Sequence, residues 1–155
     1  MGAAKPEILS PSDSALWREA YLQAFVDTSC DHYKQYIATP RQFSDGVHYE
    51  GYLWDCLRNW QRITVQRFRL EVARHNEVFV MADDHSRDRV MGPPLWPYAP
   101  YSVARFRAPG LLQSLRSLPE DIYVFDESVS WTLVLTHEHD EKRRYCVAIG
   151  IEDTP

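Results

Sequence analysis

Three short runs near the C-terminus, Ile122–Phe125, Ser130–Thr136 and Tyr145–Ile149, are rich in β-branched and aromatic residues and are separated by polar turns. Short strands joined by short polar turns fold back on themselves, so an antiparallel meander is expected there. The rest of the chain must then supply the layer that covers this sheet. On the middle run, Trp131, Leu133 and Leu135 alternate with their neighbours and should share the core-facing side.

Helical signals dominate before the meander. Ser10-Pro11-Ser12-Asp13 joins a capping hydroxyl, a proline suited to the first helical position and an acid in the first turn. Trp17, Ala20, Tyr21, Ala24 and Phe25 then recur at three- and four-residue spacings, giving a helix from about Pro11 with one apolar side. A short helical piece around His32–Ile37 is expected to end before Pro40, and Arg41–Val47 reads as a loop. Tyr49, Leu53, Trp54, Leu57 and Trp60 predict a second helix over 49–60, and the stretch from Ile63 to His75 predicts a third. Val78–Met81 is a buried-strand candidate. Pro109 and Pro119 bracket a further helix that puts Leu111, Leu112, Leu115 and Leu118 on one face. Helices gathered first and strands last, without regular βαβ alternation, predict an α+β fold with helices on one face of a small antiparallel sheet formed mainly by the C-terminal meander.

At 155 residues the chain matches one domain with room for a real core, and 1–10 are expected to be flexible. Met1–Pro11 has no apolar run, and no later stretch approaches the roughly 18 apolar residues of a membrane span. Cys30, Cys56 and Cys146 are odd in number and far apart, which fits neither a disulfide framework nor a CxxC zinc site. A cytoplasmic, reducing setting is expected.

A net charge of −5 argues against bulk nucleic-acid binding, which depends on neutralising phosphates with Lys and Arg. The charge is unevenly placed. Five arginines stand against Glu71 alone between Arg58 and Arg74, whereas nine acids face Lys142, Arg143 and Arg144 from Glu120 onward. Such asymmetry can steer a charged partner, although its plainer role is attraction between faces of one fold.

Among motifs that carry chemistry, His137-Glu138-His139 is the sharpest, because alternate strand residues share a face and two imidazoles can grip one metal ion. With Asp83 or His85 as further ligands, and Glu138 or Asp140 as base, a divalent first-row metal would give a hydrolase or oxygenase. The competing reading is that Thr136, His137 and Glu138 satisfy backbone groups and one another where the strand leaves the core. His137 beside a carboxylate would then serve as an acid, a base or a pH-sensitive contact. No G-x-S-x-G elbow, no G-x-G-x-x-G and no GxxxxGK occurs. Between Met91 and Tyr101, four prolines alternate with Leu95, Trp96, Tyr98 and Tyr101, forming an extended loop with overlapping P-x-x-P spacings. Its aromatic rings are expected to pack back onto the domain, and if exposed would form a partner-binding patch.

Asp121–Asp126 followed by Trp131-Thr132-Leu133-Val134-Leu135-Thr136-His137-Glu138 resembles the ending of a small bacterial family of unknown function that closes on a W-T-x-V-x-T-H-E strand. Trp17–Ala20 and Gly51–Trp54 are similar to that family's opening helix and its G-x-L-W step. The resemblance implies a fold and no activity. From the residues themselves, the leading expectation is a non-enzymatic cytoplasmic protein that binds another protein, of immunity or regulatory type, needing no cofactor. Its candidate contact residues are Glu138, Asp140 and Glu141 at the acidic turn and Trp96 and Tyr98 in the proline-rich loop. The alternative is the metal-dependent enzyme built on His85, His137 and His139.

Overall fold

A computed structural model of the chain describes residues 5–38, 41–42, 48–49, 52–83, 101–140 and 143–152. Helix α1 (Pro11–Phe25) starts where the Ser10 hydroxyl accepts the backbone N–H of Asp13 at 3.1 Å, with Pro11 opening the first turn. Helix α2 (Val65–Ala73) is capped in the same way by Thr64, and α3 (Ala108–Ser114) runs on into a 3-10 turn, Leu115–Ser117. Strands β1 (Glu7–Ile8), β4 (Gln61–Ile63), β5 (Glu77–Ala82), β6 (Ala104–Arg107), β7 (Ile122–Phe125), β8 (Thr132–Asp140) and β9 (Arg143–Ile149) make one antiparallel sheet in the order β1-β6-β5-β7-β8-β9-β4. Two further strands, β2 (Arg41–Gln42) and β3 (His48–Tyr49), pair only with each other.

The α+β class and the β7-β8-β9 meander are as the sequence predicts, but the helices cover both faces of the sheet rather than one. Val78, Val80, Val124, Leu133 and Leu135 point to the side of α2 and α3, where Phe68, Val72 and Leu111 pack. Phe79, Met81, Tyr123, Phe125 and Val134 point to the other, where α1 delivers Tyr21 and Phe25. Every residue of β7 is buried, as expected of a strand covered on both sides. Trp131 lies on the α2–α3 side with Leu133 and Leu135, as expected, and stacks on His75 at 4.2 Å.

Other expectations need correction. Among the described residues of the stretch expected to be helical over 49–60, Tyr49 belongs to β3 and Leu53–Cys56 form a 3-10 turn, followed by an isolated bridge between Leu57 and Val26 and by Asn59 at φ 51°. Residues 7–10 are not loose, since β1 pairs with β6 and the backbone N–H of Leu9 donates to the Val103 carbonyl at 3.0 Å. The predicted loop at Arg41–Val47 contains β2, while 43–47 fall outside the described residues. Residues 91–100 of the proline-rich loop, with Trp96 and Tyr98, also lie outside them. Among the described residues, no helix is long and apolar enough to cross a membrane.

The arginine-rich stretch is largely spent within the fold. Arg58 donates to the Val26 carbonyl through Nε and a terminal nitrogen, Arg67 pairs with buried Glu71 at 2.7 Å, and Arg62 lies over the Tyr145 ring.

Gly150, just past β9, has φ +76°, and a Cβ there would fall 2.1 Å from the Ser130 carbonyl oxygen. Left-handed strain and a backbone clash act together at this turn. Gly150→Ala is expected to lower stability by about 2 kcal/mol or more, read by urea denaturation; an unchanged midpoint would contradict this geometry.

Candidate functional site

The polar end of the meander is organised by a break in β8. Leu135 stands opposite Cys146 and His139 opposite Arg144, so Thr136, His137 and Glu138 together face Tyr145 alone. A bulge of this kind re-aims side chains, and it breaks the regular pairing along Leu135–His139 on which the expected shared face of His137 and His139 rests. Thr136 holds the bulge: its hydroxyl donates to the Tyr145 carbonyl at 2.8 Å and accepts the Glu138 N–H at 3.3 Å.

His137 turns toward Asp121, the residue before β7, which is fully buried. One oxygen of Asp121, Oδ1, accepts the His137 backbone N–H at 3.0 Å and the Trp54 indole N–H at 3.1 Å, and lies 3.0 Å from His137 Nδ1. On the other side of the ring, Nε2 is 3.2 Å from Oε1 of Glu138, whose side chain is mostly exposed. A carboxylate oxygen thus stands within 3.2 Å of each ring nitrogen. The imidazole also lies against Tyr52, with ring centroids 4.5 Å apart.

Behind this group a second buried carboxylate, Asp83, accepts the Tyr123 hydroxyl and the Leu53 N–H, and Tyr123 in turn accepts the Trp54 N–H at 2.9 Å. Burial, the Asp83 charge and its hydrogen bond hold the Tyr123 phenol well above its usual range, so it stays a donor. Asp55 sits in the same neighbourhood, 3.6 Å from Nε2 of His32. Burial pushes the Asp55 carboxyl up, His32 opposes this, and Glu138 adds to the rise.

The rings around this corner form a continuous ledge. Tyr52 stacks on Trp54 at 5.6 Å, Trp54 meets Tyr145 of β9 at 6.3 Å, and Tyr145 meets Trp60 at 6.0 Å. Trp60 is 45% exposed, and Trp54 and Tyr145 are half-buried.

Of the residues singled out from sequence, Glu138 and His137 are therefore brought together. His139 and Asp140 lie on β8 beyond the bulge, opposite Arg144 and Arg143. Glu141 and His85 fall outside the described residues, as do Trp96 and Tyr98. Asp83, considered as a metal ligand, is engaged with Tyr123 and Leu53. Among the described residues, no group of three or more His, Cys, Asp or Glu is disposed to hold a metal ion. Sequence reasoning missed Asp121, Trp54 and Tyr145, which lie far from His137 in the chain or were assigned to other roles.

Compared with protein-family models, curated proteins and solved structures, the chain gives no match.

Proposed function

We propose that this chain works in the cytoplasm as a non-enzymatic protein-binding protein, of immunity or regulatory type, and that it meets its partner with the polar end of the meander. One observation supports this most. Among the described residues of this corner, both His137 nitrogens face carboxylates and Thr136 serves the backbone. Glu138, although 3.2 Å from His137 Nε2, keeps 55% of its side chain exposed, at a corner where His137 meets the half-buried Trp54 ring. Exposed aromatic rings rimmed by charge are the composition of interface hot spots.

Glu138, with Asp140 at the end of β8 and Glu141 next in sequence, supplies negative charge for a basic partner surface. An immunity protein that covers the basic active site of a nucleic-acid-cleaving toxin would need carboxylates so placed, an analogy of mechanism. The test is capture of the partner from the native host followed by binding kinetics. Glu138→Lys with Asp140→Lys is expected to slow association several-fold at low salt, the difference shrinking as salt rises, with an unchanged melting temperature. An on-rate and salt dependence equal to wild type would defeat the proposal. A stoichiometric first-row metal on untagged protein, lost in His137→Ala with His139→Ala, would instead favour the hydrolase or oxygenase reading.

A further inference from the structure

The ledge suggests which side chain of a partner this surface takes. Tyr145 already carries one guanidinium: the Arg62 Cζ lies 4.4 Å above its ring centroid, so cation–π stacking is geometrically accommodated here. Trp60 and Trp54 both meet the Tyr145 ring, at 6.0 and 6.3 Å, and Trp60 is 45% exposed. Negative charge stands at the same end, with the side chains of Glu138 and Asp55 exposed by 55% and 39%. His137 links the two acids, its Nε2 3.2 Å from Oε1 of Glu138 and its ring 6.1 Å from that of Trp54, the neighbour of Asp55 in the 3-10 turn.

An indole face attracts any cation, but a planar guanidinium stacks flat on it and still offers its edge to a carboxylate, which an ammonium cannot do. Resting on the protein-binding reading above, we infer that an arginine-bearing segment of the partner lies across Trp60, Tyr145 and Trp54, its guanidinium groups stacked on the indoles and paired with Glu138 and Asp55. Aromatic contacts then set how long the complex lasts, while the acids set how fast it forms.

The experiment uses the full chain, nitrogen-15 labelled, titrated at physiological salt with a penta-arginine peptide and with a penta-lysine peptide, following the indole N–H signals. Penta-arginine is expected to shift the Trp54 and Trp60 signals saturably, at least about threefold more tightly than penta-lysine, with the buried Trp131 signal still. Trp60→Leu, a surface change, should weaken penta-arginine binding about threefold to tenfold and penta-lysine binding by less. Glu138→Gln should weaken both peptides. Equal affinity for the two peptides, or full arginine affinity in Trp60→Leu, would overturn the inference. If arginine selectivity is present while the charge-reversed double variant binds the captured partner normally, the partner is held elsewhere, the proposed use of the polar end of the meander fails, and the ledge remains an arginine-binding surface.

Discussion

Trp131→Ala is expected to lower the unfolding free energy by about 3–5 kcal/mol, a large part of the total for a domain of this size. Trp131 is 7% exposed and belongs to the layer formed by Leu133, Leu135, Val72 and Phe68. Its ring also stacks on His75 with planes 17° apart, so truncation removes that contact and leaves a void between the end of α2 and the sheet. Trp131→Phe should recover part of the loss, because a ring still fills the site. A melting temperature unchanged by Trp131→Ala would place the residue outside the core.

The second large effect is at the buried carboxylate. His137→Phe keeps a ring against Tyr52 but removes the ring nitrogen 3.0 Å from Oδ1 of Asp121, so a fully buried carboxylate loses one of its polar contacts. The loss is expected to be about 2–3 kcal/mol, below the full cost of breaking a buried pair because His137 keeps 18% of its side chain exposed. Adding Asp121→Asn removes the charge while keeping an oxygen for the Trp54 indole and the His137 backbone N–H. The double variant should therefore be more stable than His137→Phe alone. Simple addition of the two losses, measured by urea denaturation, would show that packing and not charge holds this corner.

What was legible in the sequence followed the range of the forces involved. The meander, the Ser10–Pro11 helix start and the side taken by Trp131 depend on neighbours a few residues apart, and all three are present. The continuous apolar runs Val78–Met81 and Ile122–Phe125 also held the sign of burial on both faces, since a half-exposed strand would alternate. Reading them as strands of a one-sided sheet hid the layer made by α1. The stretch over 49–60 misled for a different reason. Leu53 and Leu57 point inward while Trp54 and Trp60 pack across the surface, and their joint spacing imitates one helical face. Asn59, in the left-handed region at φ 51°, interrupts any helix there.

The site was harder to foresee than the fold. Asp121 meets His137 across 16 positions and Trp54 across 67, so only the sheet register and the 3-10 turn bring them together. The bulge that turns His137 toward Asp121 has no local mark in Thr136-His137-Glu138 that separates it from a regular strand. Regular alternation was therefore the natural assumption for His137 and His139, and the pairing of those two rings on one metal rested on it.

The claim that the polar end of the meander is where this chain meets another protein is tested most directly by the amide footprint of the full chain bound to its captured partner. Slowed hydrogen exchange is expected over Thr136–Tyr145 and Tyr52–Trp60, the segments that carry Glu138 and the aromatic ledge. Protection confined to α2 and the rest of its arginine-rich stretch, with exchange at β8 and β9 near Glu138 unchanged, would contradict it.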